Sequence, residues 1–201
     1  MVALFASVVV HEIAHCIVAR RRGSHVRDIV LFPLGGVSEI DDLSEKPSDE
    51  LAIAIVGPLT SLALGLILIG LGLVVGMRVW PPSLFSGDWL ARLGWLNLLL
   101  AAFNMLPALP MDGGRVLRAL LARGRPRAQA TVAAARIGRW IGLAMIAIGF
   151  VLDFWLILIG IFVILDANAE EGSARKSGAD HQPGVGPHPG SPRDQERSAR
   201  M

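Results

Sequence analysis

Residues 51–77 read LAIAIVGPLTSLALGLILIGLGLVVGM, 27 positions without one charge. About 20 apolar residues suffice to cross the hydrocarbon core of a bilayer, so this run is long enough to span one. A second uncharged run, 93–111, follows it, and a third apolar region, 140–165, is interrupted only by Asp153. With 53% hydrophobic residues and a mean hydropathy of +0.54, the 201-residue chain is too apolar for an ordinary soluble domain. The pattern predicts a polytopic membrane protein built as an all-α bundle of about five transmembrane helices.

Outward from the long run, the chain divides as follows. An apolar stretch closed by RRRG predicts a first helix over about 2–21, with Gly23 as its C-cap. In HVRDIVLFPLGGVSEI, Val, Ile, Leu and Phe flank Gly35-Gly36, the pattern of a small β-hairpin after that helix. Residues 41–50 are polar and belong in water or at the interface. Gly57-Pro58 should kink the second span, and Gly65, Gly72 and Gly76 suggest close helix packing. Trp80 and Trp89 bracket a loop as interfacial anchors. A further span covers about 90–106, and NMLPALPMDGG cannot be regular helix with two prolines and two glycines. Two helices, 132–152 and 154–169, are expected to turn at Asp153, because a lone Asp at mid-bilayer is costly. The membrane-embedded domain is thus 1–169. Residues 170–201, Pro/Gly/Ser-rich at their end and without aromatics, read as a disordered cytoplasmic tail.

The net charge of +2 and pI of about 9.3 do not indicate nucleic acid. The arginines gather at the ends of apolar segments instead of forming a stripe interleaved with aromatics, so they read as orientation signals. Arg20, Arg21, Arg22 and Arg27 mark the end of the first helix as cytoplasmic, as do seven arginines over 115–139, whereas the loop between the second and third spans carries Arg78 and Arg92 alone. Residues 11–15 and 104–115 therefore belong to the same inner half of the cell membrane. A single Cys16 excludes an intrachain disulfide and reads as a packed helix residue.

That shared depth matters because of what the first helix carries. His11 and His15 are four apart, so both rings project from one helical face, a spacing that lets two nitrogens reach one zinc ion. Glu12 beside them is placed to take a proton from a metal-bound water, and HEIAH is an H-E-x-x-H string. A bridging pair of buried polar side chains, or a proton or ion relay, would use the same residues differently. A catalytic zinc takes three protein ligands and a water. Before the tail His25 is the one other histidine, so the third ligand should be a carboxylate. Asp112 is the best candidate, ending an uncharged run between Pro110 and Gly113-Gly114, although a plain turn residue fits the same spacing. Asp28 and Asp41 fall in the polar segment after the hairpin, with no reason to be buried.

HEIAH in an apolar helix, PLGG in the hairpin, GPLTS and NMLPALPMDGGR together resemble the site-2 protease family of intramembrane zinc metalloproteases, over residues 1 to about 169. The resemblance implies one zinc per chain held by His11, His15 and Asp112, with Glu12 as catalytic acid/base. It also implies that Asn104 holds or polarises the substrate and that the hairpin from Leu31 to Ile40 offers it a strand edge. The family usually has a further transmembrane helix before the HExxH helix, so the true start is expected upstream of Met1, the alternative being a shortened form that lacks this helix. Where relatives carry Asn after Gly-Pro, this chain has Ser61. The expected activity is hydrolysis of a peptide bond within or near the transmembrane segment of a single-span membrane protein, with the active site opening towards the cytoplasm. The competing reading is a non-catalytic metal-binding scaffold or ion carrier, which has no need of a carboxylate at Glu12.

Overall fold

The first element ends where its sequence says it must. In the computed structural model, which describes residues 2–23, 25–32, 35–41, 46–80, 82 and 88–180, helix α1 (Val2–Arg21) closes at Gly23. Gly23 adopts φ 82° and donates its N–H to the Arg20 carbonyl at 3.1 Å, a left-handed conformation that glycine enters without steric cost.

Strands β1 (His25–Phe32) and β2 (Gly35–Asp41) pair antiparallel, from His25 opposite Asp41 to Phe32 opposite Gly35, with an irregularity between Val26 and Asp28. Gly35 and Gly36 thus open β2 instead of forming the turn; residues 33 and 34 lie outside the described residues. Asp28 is inside β1 and Asp41 ends β2, so both belong to the hairpin and not to the polar segment after it. Among the described residues the sheet has two strands, which leaves each with an unpaired edge.

Helix α2 (Pro47–Val74) begins with Pro47, whose missing N–H costs nothing in a first turn, and carries Asp49 and Glu50 where the helix dipole favours them. The helix continues through Pro58, which has no N–H for the Ala54 carbonyl. Past it, the Thr60 hydroxyl donates to the Val56 carbonyl at 2.8 Å. Gly76, at φ 75°, lies just beyond the end of α2, so it terminates the helix instead of packing it.

Helix α3 (Trp89–Asn104) leads into an irregular segment whose Ala108, Leu109 and Met111 are buried. Helix α4 (Asp112–Leu121) follows, with α5 (Arg127–Leu152) and α6 (Phe154–Asp180) completing the bundle. The turn between α5 and α6 falls at Asp153, which is extended (φ −163°, ψ 134°) and accepts the Trp155 N–H on Oδ1 at 2.8 Å. Helix α6 runs on to Asp180, so the part of the expected tail over 170–180 is helical. Residues 181–201 lie outside the described residues.

Helix α2 is the hub: it packs on α1, α3 and α4, while α4 leans on α5 and α5 pairs with α6. Small residues set the spacing. A Cβ at Gly65 would stand 2.9 Å from the Gly94 carbonyl of α3, and one at Gly160 would stand 2.6 Å from the Gly142 carbonyl across the α5–α6 pair. Such close approach is how helices associate where lipid, not water, surrounds them. The outer surface fits that solvent: Ile67, Val74, Phe150 and Val151 are all more than half exposed. By length and composition α2 and α5 are each able to cross a membrane, and α3, with 16 residues, is shorter than a full span.

Charge collects at one end of this bundle. Arg22 Nη1 meets Asp49 Oδ1 at 2.6 Å, Arg118 Nε donates to Glu50 Oε1 at 2.7 Å, Arg118 Nη1 reaches Glu170 Oε2 at 3.2 Å, and Arg127 Nη2 lies 3.6 Å from Glu50 Oε2. Glu171 pairs with both Arg139 of α5, at 2.6 Å, and Arg175 one turn on, at 2.5 Å. These pairs tie the last turn of α4 and the first turn of α2 to α6, and α6 to α5.

Candidate metal centre

Four residues apart on α1, His11 and His15 turn their rings to the same side, with centroids 4.8 Å apart and planes inclined at 74°. Both are almost fully buried against α2. Helix α4 supplies the third group. Asp112 is its first residue, a position where the helix dipole favours a carboxylate. Its neighbours Gly113 and Gly114 leave no room for a Cβ, because one at Gly113 would run into the Met105 and Leu106 carbonyls and one at Gly114 into the Ala108–Leu109 backbone. The DGG string is therefore what lets α4 start so tightly against the preceding segment.

His11 Nε2 lies 3.1 Å from Asp112 Oδ2, His15 Nε2 lies 3.2 Å from the same oxygen, and the two nitrogens are 3.1 Å apart. The remaining ring nitrogens are tied to α2. His15 Nδ1 donates to the Ile53 carbonyl at 2.7 Å, which fixes that ring's proton on Nδ1 and leaves a lone pair on Nε2. His11 Nδ1 bonds Ser61 Oγ at 3.0 Å, and the hydroxyl can accept its proton in the same way. Gly57 lies between those two anchor points, where a Cβ would collide with His15 Nε2 and stand 2.7 Å from His11 Nε2.

A neutral imidazole that carries its proton on Nδ1 turns a lone pair on Nε2 inward, so the three residues can offer one ligand atom each to a common cation. Ligand atoms around a tetrahedral zinc at 2.0–2.1 Å stand about 3.3–3.4 Å apart. The observed 3.1–3.2 Å triangle matches that to within a few tenths of an ångström. The three residues therefore fit one zinc ion.

Of the other residues singled out in the sequence, Glu12 follows His11 on α1 and is half-buried, about 100° round the helix from the ring-bearing face. Asn104, the last residue of α3, donates its Nδ2 to the Leu100 carbonyl at 3.0 Å, one turn back on its own helix. Ser61, Ile53 and Gly57 carry roles that motif reading missed. Their spacing held the signal, since 53, 57 and 61 recur every four residues and so share one face of α2.

A helical bundle with two apolar helices long enough to cross a membrane and a buried His-His-Asp set drawn from two of its elements points to a membrane protein with a candidate site for one metal ion. The class is narrower still, because residues 1–87 and 83–149 match the model of peptidase family M50, and the chain belongs to that family, the site-2 proteases. It is 37% identical over 170 residues to the zinc metalloprotease MJ0392 of Methanocaldococcus jannaschii, covering 84% of this chain and 48% of that protein. With stage IV sporulation protein FB of Bacillus subtilis it shares 28% identity over 127 residues, or 63% of this chain and 41% of that one. The chain thus spans about half the length of the curated relatives it matches. Among solved structures, the site-2 protease from Methanocaldococcus jannaschii is similar at a TM-score of 0.68 and 37% identity, over 85% of this chain and 76% of that chain.

Proposed function

We propose that the chain is an intramembrane zinc metalloprotease that hydrolyses a peptide bond within or near the transmembrane segment of a single-span membrane protein. The observation that carries this reading is the triangle of His11 Nε2, His15 Nε2 and Asp112 Oδ2, three buried lone-pair atoms 3.1–3.2 Å apart. In this reading those residues hold one zinc per chain. When bound, zinc lowers the pKa of a coordinated water and polarises the scissile carbonyl.

The chain's own residues do the rest. Ile53 and Ser61 hold the two rings with their lone pairs inward. Glu12, beside the triangle and off its face, takes the proton from the attacking water and returns it to the leaving amine. Asn104 lets go of the Leu100 carbonyl to hold the substrate's peptide group, and an open edge of the hairpin pairs with the substrate backbone after its helix has unwound. Helices α1, α3 and α6 lie in the membrane with α2 and α5, giving five embedded helices of which α3 is the shortest. The ion-paired end faces the cytoplasm, a placement supported by the arginines of 20–22 and 115–139. Water enters the site from that side.

A cleavage assay in detergent on a model single-span substrate, with zinc measured on each protein, tests the reading. Glu12→Gln is expected to keep zinc and lose cleavage by at least about 100-fold, in keeping with general acid–base catalysis. Asp112→Asn is expected to lose much of both. A chain that binds zinc and cuts none of a panel of substrates would move the assignment to a metal-binding scaffold or ion carrier.

A further inference from the structure

We propose that Arg118 is a positioning residue for the metal centre: by tying α4 to Glu50 of α2, it sets where Asp112 stands relative to His11 and His15. The inference rests on the reading of those three residues as zinc ligands. Its starting point is that the ligands come from two helices that meet on a third. Helix α1 is keyed to α2 by the bonds of His15 to Ile53 and of His11 to Ser61. Helix α4 needs a key of its own, because Asp112 is its first residue and the Gly113–Gly114 contacts hold that end alone.

Arg118 supplies the key. It lies six residues beyond Asp112, about 9 Å further along the helix axis. Its Nε donates to Glu50 Oε1 at 2.7 Å and its Nη1 to Glu170 Oε2 at 3.2 Å, so one planar group is fixed from two directions. Glu50 is three residues before Ile53, seven before Gly57 and eleven before Ser61, on the face of α2 that seats both rings. One helical face thus carries the anchors for every ligand-bearing element. Arg118 and Glu50 are both buried. Two apolar side chains of the same volume would hold the helices together as well as a buried ion pair does, so stability does not call for these charges. Register does, because a charge pair is satisfied at one axial setting and an apolar contact at several. Lysine, with a compact ammonium in place of a rigid planar fork, does not reproduce the fixed geometry by which Nε meets Glu50 and Nη1 meets Glu170.

The test uses the full chain in detergent micelles, with three readouts. These are the zinc dissociation constant from competition with a chromophoric chelator, the ligand-field absorption of the cobalt-loaded protein, and the melting temperature without metal. The double variant Arg118→Gln/Glu50→Gln removes both charges, so that neither is left buried alone. It is expected to bind zinc about 10–100-fold more weakly, the cost typical of losing a partner behind a metal ligand. Its tetrahedral cobalt band should weaken while the metal-free melting temperature barely moves. Arg118→Lys should fall between this variant and the unmodified chain, and Arg175→Gln, which breaks a pair on the same belt, should leave zinc binding unchanged. Zinc binding as tight in both Arg118 variants as in the unmodified chain would overturn the inference and leave the ligand assignment standing. So would a loss of affinity shared by Arg175→Gln, or one that appears only with a collapsed melting temperature, including failure of both Arg118 variants to fold; the pair would then serve stability alone. Failure of the unmodified chain to bind zinc would instead remove the ligand assignment, and this inference with it.

Discussion

Two single-residue contacts decide whether the ring nitrogens can meet a metal. A methyl group at Gly57 would occupy the space of His15 Nε2. Gly57→Ala is therefore expected to abolish measurable zinc binding with the helix still formed, read by metal analysis and circular dichroism together. Ser61 acts more gently. Without its hydroxyl, His11 Nδ1 loses its partner and the ring its tautomer, so Ser61→Ala should weaken zinc binding about 10-fold, and Ser61→Asn should restore part of the loss. At this scale the sequence was most legible where chemistry forces residue type. HEIAH places two imidazoles on one face by spacing alone, and an acid at the end of an uncharged run invites attention. Ser61 was visible merely as a departure from its relatives. That its hydroxyl meets His11 depends on how α1 and α2 pack, which no local pattern encodes.

Helix limits were legible in proportion to how local their causes are. Gly23 and Asp153 announce helix boundaries because backbone conformation and the cost of charge in lipid act within a few residues. The far end of α6 did not announce itself. Its composition reads as solvent-exposed tail, and what holds it is supplied by Arg118 and Arg139 on other helices, together with the Glu171–Arg175 pair one turn apart. Arg175, and then Arg139, hold the Glu171 carboxyl below its ordinary range. A lowered value in the folded state means that the contribution is full above the ordinary glutamate pKa, about 4.3, and fades as pH falls through the folded value. Glu171→Gln should accordingly lower the melting temperature at neutral pH and leave it unchanged at the acid end of a pH series. The glycine crossings make a second prediction about elements. Gly160→Leu pushes a side chain into the Gly142 carbonyl, so it should cost about 1–3 kcal/mol, seen as a lower unfolding midpoint in a mixed-micelle denaturant titration.

For the molecule as a whole, the sequence carries the argument for the proposed orientation, and what it withheld was the hub. The distribution of arginines depends on composition near helix ends and needs no tertiary information. The centrality of α2 needs it entirely, since α1, α3 and α4 meet there from positions far apart in the chain. Orientation can be measured directly. In a Cys16→Ser background, an impermeant maleimide added to intact cells should label a cysteine placed at Arg78 and leave one placed at Arg123 unlabelled until the membrane is opened. The reverse pattern would turn the bundle over and put the ion-paired end outside.

The metal triangle joins His11 to Asp112 across 101 positions of chain. A ribosome adding about 5–20 residues per second needs some 5–20 seconds to travel between them. Throughout that interval the growing polypeptide carries two of the three candidate ligands and lacks the third. The candidate site is complete only once α4 has settled on α2. Whatever chemistry the site performs is withheld for that long, and the delay is written into nothing more than the distance between two residues.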